Sequence, residues 1–155
     1  MKKNSRGFSL IELLIVVAII LIIAAIAIPN LLRSRIAANQ ASAVGSIRTI
    51  NTAEITYAST YNAGYSSTLA DLTPPVSPAQ PSSTAAGLID SVLASGAKSG
   101  YTFVYALLSR DTYTLNANPT TVGTTGTNYY FSDESGVIRQ DSTAQATASS
   151  SPLAG

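Results

Sequence analysis

The sequence contains no cysteine, no histidine and no tryptophan, and only 11% of its 155 residues are charged. An average soluble domain has about 25% charged residues. Without thiols or imidazoles, the chain cannot form disulfides, carry out thiol or imidazole catalysis, or build the common zinc sites. A formal net charge of +1 provides no broad basic face for nucleic acid. We therefore expect a protein that is not an enzyme and that needs no cofactor.

The most prominent feature of the sequence is a long apolar segment near its start. Residues 8–28 contain one ionisable side chain, that of Glu12, and they follow Lys2, Lys3 and Arg6. As an α-helix, these 21 residues would be roughly 31 Å long, which matches the hydrocarbon thickness of a bilayer. The basic cluster before the segment places the N-terminus in the cytoplasm by the positive-inside rule. The sequence thus predicts export and membrane anchoring.

Glu12 distinguishes between three interpretations of this segment. The sequence Ala25-Ile26-Ala27 fits a signal-peptidase site, whose cleavage would release a secreted soluble binding domain. A plain uncleaved anchor is the second interpretation. A carboxylate near a helix centre costs about 2.5–3.5 kcal/mol on insertion scales, unless it reaches the interface, so Glu12 argues for a third, functional interpretation.

The third interpretation rests on a resemblance carried by the string Arg6-Gly7-Phe8-Ser9-Leu10-Ile11-Glu12-Leu13-Leu14. This string resembles the N-terminus of type IV prepilins and pseudopilins, and the resemblance is close over residues 6–36. It implies that a prepilin peptidase cleaves after Gly7 and methylates the new amino terminus at Phe8. It also implies that Glu12 acts in subunit assembly, with an inner-membrane platform and its ATPase driving polymerisation.

Simple physical arguments support roles for Gly7, Phe8 and Glu12. Cleavage after Gly7 keeps the apolar helix, whereas cleavage after Ala27 would discard it. When such helices leave the lipid and pack together, the new amine of Phe8 needs a partner, and Glu12 of a neighbouring subunit could provide it and set the axial register. Glu12 of the same chain is the alternative partner, because Phe8 and Glu12 are helical i,i+4 neighbours.

The helical pattern continues beyond Pro29, which should kink or locally unwind the helix. Apolar residues then recur at helical spacing and predict one buried stripe: Leu32, Ile36, Ala43, Ile47, Ile50, Tyr57 and Tyr61. Polar residues occupy the opposite, exposed face: Arg33, Arg35, Asn39, Gln40, Arg48, Asn51 and Glu54. The segment Asn62-Ala63-Gly64 should end the helix.

The second half of the sequence predicts a short helix from Ser83 or Thr84 to about Ser95, then four strands in two hairpins. Asp133 and Glu134 lie in the second hairpin turn and could contribute to a calcium site, although two acids there usually form only a turn. Together with the resemblance, this pattern predicts an α+β fold: a long N-terminal helix, membrane-spanning in its first half, packed on a small antiparallel sheet.

The expected organisation has six parts. They are a cleaved basic leader (1–7), a transmembrane and assembly helix (8–28), an amphipathic second half of the helix (29–62), a connecting region with a short helix (63–99), an antiparallel sheet (100–141) and a disordered tail (142–155).

These features predict a filament subunit made as a single-pass inner-membrane precursor. Its expected partners are copies of itself, membrane lipid before assembly, the prepilin peptidase and methyltransferase, and the assembly platform with its ATPase. The resemblance favours a type IV pilus-like filament outside the cell, with a periplasmic pseudopilus of a type II secretion system as the alternative. A secreted soluble binding domain is the remote alternative.

Overall fold

The computed structural model describes residues 8–77 and 79–153. The chain divides into two compact units, Met1–Arg35 and Ile36–Gly155. The first element, α1 (Leu10–Tyr61), begins in the first unit and ends in the second. A 3₁₀ turn (Leu69–Leu72) and the short helix α2 (Ser91–Ala94) follow it. Six strands complete the fold: β1 (Ala97–Lys98), β2 (Tyr101–Ser109), β3 (Thr112–Pro119), β4 (Tyr129–Asp133), β5 (Arg139–Asp141) and β6 (Ser151–Pro152).

The strands form one antiparallel sheet in the order β1-β2-β3-β4-β5-β6. The four predicted strands correspond to β2–β5, and the two-residue strands β1 and β6 extend the sheet at its edges. The expected α+β class, with a long N-terminal helix packed on an antiparallel sheet, is confirmed.

The core of the second unit lies between the C-terminal half of α1 and one face of the sheet. Strand β3 illustrates this arrangement, because its side chains alternate along the whole strand between buried and half-buried positions. Four members of the predicted helical stripe are buried in this core: Ala43, Ile47, Ile50 and Tyr57. The prediction is wrong for Leu32, which is exposed in the first unit. The sheet contributes mainly aromatic and aliphatic side chains: Tyr101, Phe103, Tyr113, Leu115 and Tyr130.

The C-terminal end of α1 is closed by residues that favour left-handed backbone. The helix ends at Tyr61, next to the segment expected to stop it, and Asn62 follows with φ 51°. Gly64 has φ +87° and packs so closely on Arg110 that no side chain would fit. The turn between β2 and β3 therefore sits against the end of the helix.

Two polar residues lie where the helical pattern did not place them. Asn51 and Glu54 were expected on the exposed face, yet both are buried. Asn51 donates to the hydroxyl of Ser132 at 2.8 Å and accepts from the Tyr113 hydroxyl at 3.0 Å. Hydrogen-bond partners on distant strands thus replace the solvent that the pattern assumed.

The short helix is smaller than predicted, covering only Ser91–Ala94, because its N-terminal cap is Asp90 rather than Ser83 or Thr84. The Asp90 carboxylate accepts from the backbone N–H of Leu93 at 2.9 Å, the usual geometry of a capping aspartate. The Asp90 Oδ2 atom also lies 2.9 Å from the Lys98 Nζ atom, and this pair is the one salt bridge among residues 8–77 and 79–153.

The expectation of a disordered tail is wrong for residues 142–153. Ala146 is buried, and its carbonyl oxygen accepts from the Asn116 side chain at 2.9 Å. Further along, Arg139 donates to the carbonyl oxygen of Ser150 at 3.0 Å, and β6 pairs with β5. Hydrogen bonds to the backbone of this segment attach it to the sheet. Its polar side-chain composition therefore did not indicate that the segment is ordered.

Candidate assembly site at the N-terminal helix

The apolar surface of α1 in the first unit is uncovered. Its large side chains are all exposed, from 41% for Leu32 to 75% for Leu10, and Phe8 just before the helix is also 75% exposed. The helix is long and apolar enough to cross a membrane, and the most apolar part of it is not buried within the chain. Each such side chain gains about 1.5–3 kcal/mol when it moves from water into an apolar environment. This surface therefore requires lipid or other apolar helices around it.

Glu12 caps the N-terminal end of this helix. Its Oε2 atom accepts a hydrogen bond of 2.8 Å from the backbone N–H of Ser9, while Leu13 N–H donates to the Ser9 carbonyl oxygen at 3.2 Å. This is one half of a capping box, in which a glutamate at the third helical position satisfies a backbone donor that the helix leaves free. The Ser9-x-x-Glu12 spacing is the sequence signal for this capping role.

The capping bond engages one carboxylate oxygen of Glu12. No hydrogen bond to Oε1 forms within residues 8–77 and 79–153. The carboxylate is exposed and can accept a further donor while it keeps the capping bond. The expected pairing of Glu12 with an amine at Phe8 concerns the processed chain, because before cleavage the Phe8 nitrogen belongs to a peptide bond.

Three other predicted site features stay predictions. Gly7, at the expected cleavage site, lies outside the described residues, as do the basic residues of the leader. Methylation of Phe8 depends on that cleavage. Pro29 lies inside α1, and the kink expected there stays a prediction.

Of the two acids considered for calcium, Asp133 is the last residue of β4 and pairs with Thr114, and Glu134 follows it. One oxygen of the Asp133 carboxylate accepts from the backbone N–H of Ser135 at 3.0 Å and also from the Ser135 hydroxyl. This is the hydrogen bonding of an aspartate that starts a turn. Glu134 is exposed. Within residues 8–77 and 79–153, no group of three or more acidic side chains comes together as a candidate metal site.

Comparisons with known proteins match part of the chain. The family described as "Prokaryotic N-terminal methylation motif" matches residues 2–28. The chain is 65% identical over 37 residues to "Type IV wide pilus major component PilA4" of Thermus thermophilus, which covers 24% of this chain and 28% of that protein. It is 49% identical over 51 residues to "Type IV major pilin protein PilA" of Myxococcus xanthus, which covers 33% of this chain and 23% of that protein. The start of the chain thus carries a prepilin-type methylation motif, and part of the chain is similar to type IV pilins.

The matched segment spans only about a quarter of each of these relatives. The similarity therefore covers a limited part of the chain, and most of the fold is described by its own structure alone. No solved structure matches the chain significantly.

Proposed function

We propose that the chain is a structural subunit of a type IV pilus-like filament, cleaved after Gly7, N-methylated at Phe8 and polymerised through residues 8–28. The observation that supports this proposal is the uncovered apolar surface of α1, whose N-terminal end is capped by the Glu12 carboxylate. A membrane covers such a surface before assembly. Copies of the same helix can cover it afterwards.

Glu12 would make the assembly selective for subunits in the correct axial position. In a filament core, a charged amine at Phe8 has no water around it and needs an anionic acceptor. The Glu12 carboxylate of a neighbouring copy has an oxygen available for it. Removing one partner of a buried ion pair typically costs about 3–5 kcal/mol, so a misplaced subunit would be strongly disfavoured.

The proposed precursor has its leader in the cytoplasm and its sheet on the other side of the inner membrane. Lys2, Lys3 and Arg6 favour this orientation, and their removal with the leader leaves six basic against eight acidic side chains. The prepilin peptidase, the assembly platform and its ATPase would act on this precursor. Both relatives are named as pilus components, which favours an extracellular pilus over a periplasmic pseudopilus.

The deciding experiment is mass spectrometry of the N-terminal peptide from filaments sheared off the cell surface. We expect a chain that begins with methylated Phe8, and an accumulating full-length precursor when Gly7 is replaced by leucine. A mature chain that begins at Ile28 would establish the secreted-domain alternative instead. Chains that begin at Phe8 but stay in the periplasmic fraction of cells without surface filaments would favour the pseudopilus.

A further inference from the structure

Glu54 is a fully buried carboxylate that joins three parts of the second unit. Its Oε2 atom accepts from the backbone N–H of Ser66 at 2.8 Å, and its Oε1 atom lies 2.5 Å from the Ser66 hydroxyl oxygen. The Ser66 carbonyl oxygen in turn accepts from the Tyr105 hydroxyl at 2.9 Å. The helix, the segment of residues 62–68 and strand β2 therefore meet at this one side chain.

No positive charge accompanies Glu54. The one salt bridge among residues 8–77 and 79–153 joins Lys98 to Asp90. The ionisable groups that face Glu54 are acids or phenols. They come from its own helix, the following segment, the 3₁₀ turn and strands β2 and β3: Tyr57, Tyr65, Asp71, Tyr105 and Tyr113. Burial raises the pKa of the Glu54 carboxyl, and the hydrogen bonds from Ser66 oppose this effect only in part.

The Ser66 hydroxyl can serve either protonation state of Glu54. It lies within hydrogen-bond distance of two acceptors, the Glu54 carboxylate and the Thr68 carbonyl oxygen, the latter at 3.1 Å. When Glu54 is ionised, the hydroxyl donates to it. When Glu54 is protonated, the carboxyl group can donate to Ser66, whose own hydrogen then turns to Thr68. The neutral form therefore leaves no donor unpaired and no charge buried.

We propose that the Glu54–Ser66 pair is a proton-binding site of the folded second unit, and that loss of its proton weakens the attachment of residues 62–68 to α1. A carboxyl whose pKa is higher in the folded than in the unfolded chain stabilises the fold when it is protonated. The stabilisation is complete below the ordinary pKa of 4.5 and is lost as the pH rises through the raised folded value.

The composition makes this site easy to detect. The chain has no histidine and no cysteine, so few other groups titrate between about pH 5 and about pH 8. All eight tyrosines lie between residues 57 and 130, so the tyrosine signal in the near-UV circular dichroism of the full chain reports on the second unit alone. Denaturant unfolding of the full chain in detergent, followed by this signal at several pH values, measures the linked proton.

We expect the unfolding equilibrium constant of the wild type to rise with pH, by up to tenfold per pH unit between the two pKa values. Glu54→Gln keeps an acceptor for the Ser66 N–H and should abolish this rise. Glu134→Gln makes the same chemical change at an exposed site and should leave the rise intact. Wild-type and Glu54→Gln chains with the same pH dependence would overturn the proposal.

An infrared measurement tests the proposal even if Glu54→Gln does not fold. The C=O stretching band of a protonated carboxyl group should persist in the full chain to a higher pH than the bands of the ordinary carboxyls do. The measurement uses a Glu12→Gln background, so that the band reports on carboxyls outside the detergent micelle. Loss of the whole band together with that of the ordinary carboxyls in this folded chain would overturn the proposal.

Discussion

The guanidinium group of Arg110 donates a hydrogen bond of 2.6 Å to the carbonyl oxygen of Asn62, the first residue beyond α1. The last turn of α1 contains no basic residue of its own. A cation from the turn between β2 and β3 therefore satisfies the negative end of the helix. The backbone of the same turn is also joined to the segment after the helix, since Tyr65 N–H donates to the Arg110 carbonyl oxygen at 3.0 Å.

Replacing Arg110 by methionine should lower the free energy of unfolding of the second unit by about 1 kcal/mol. Methionine keeps most of the aliphatic stem and the backbone hydrogen bond, but it removes the charged donor at the helix end. Denaturant unfolding followed by tyrosine circular dichroism measures the change. Arg48→Met, at an exposed position in the middle of α1, is the matched control and should have little effect. Equal stabilities of the two variants would contradict this role for Arg110.

Two glycine-to-alanine substitutions should have opposite effects. A Cβ atom at Gly126 would overlap the ring and hydroxyl of Tyr101, which donates to the Asn128 carbonyl oxygen at 2.8 Å. We expect Gly126→Ala to cost about 1–3 kcal/mol, as overpacked cores do. Gly45 lies inside α1 with open space around it, so Gly45→Ala should stabilise the isolated chain by about 0.5–1 kcal/mol. Thermal unfolding of both variants in detergent tests the pair, and a destabilised Gly45→Ala chain would show that its surroundings are not open.

Substitutions at Glu12 can separate its capping role from its proposed charge pairing. Glutamine retains an acceptor for the Ser9 N–H but has no charge, whereas valine loses both. If the carboxylate pairs with the Phe8 amine of a neighbouring subunit, both variants should be exported and cleaved, and both should give few filaments. The yield of sheared filaments relative to cellular subunit measures this. Wild-type yield from Glu12→Gln together with low yield from Glu12→Val would mean that capping alone is required.

The packed C-terminal segment predicts a difference between two neighbouring alanines. Ala146 is buried, so Ala146→Leu should destabilise the second unit by about 1–3 kcal/mol and loosen β6 from β5. Ala144 is exposed, and Ala144→Leu should be close to neutral. Hydrogen exchange at the Leu153 N–H, which donates to the Ile138 carbonyl oxygen at 2.8 Å, reports on the loosening. Fast exchange of this amide in the wild type would show that the segment is not held.

The sequence was most informative where one periodic pattern decided the structure. The helical spacing of Ala43, Ile47, Ile50 and Tyr57 identified the buried stripe, and the hairpin signals located β2–β5. These patterns depend on residues close together in the chain. The helical period assigns these apolar side chains to one face of α1. Their burial could therefore be predicted without knowledge of the sheet that covers them.

The sequence was least informative about polar residues with distant partners. Asn51 bonds to Ser132, which is 81 positions away, and no local pattern could identify that partner. Glu54 bonds to Ser66 only 12 positions away, yet its burial also depends on Tyr105 and the sheet behind it. The order of the tail could not be predicted for a related reason. The carbonyl groups of Ala146 and Ser150 accept the hydrogen bonds that attach it to the sheet, and every sequence contains such carbonyl groups. At Glu12 the signal was present in the Ser9-x-x-Glu12 spacing.

The scarcity of ion pairs in the described residues determines how this protein responds to ionic strength. Salt screens exposed charges over about 10 Å at 0.1 M and over about 3 Å at 1 M, and it therefore weakens folds that depend on surface ion pairs. Here the sheet, the helix and the tail are joined by apolar contacts and by hydrogen bonds, and Lys98–Asp90 is the one ion pair in residues 8–77 and 79–153. We therefore expect the stability of the second unit to depend little on salt concentration.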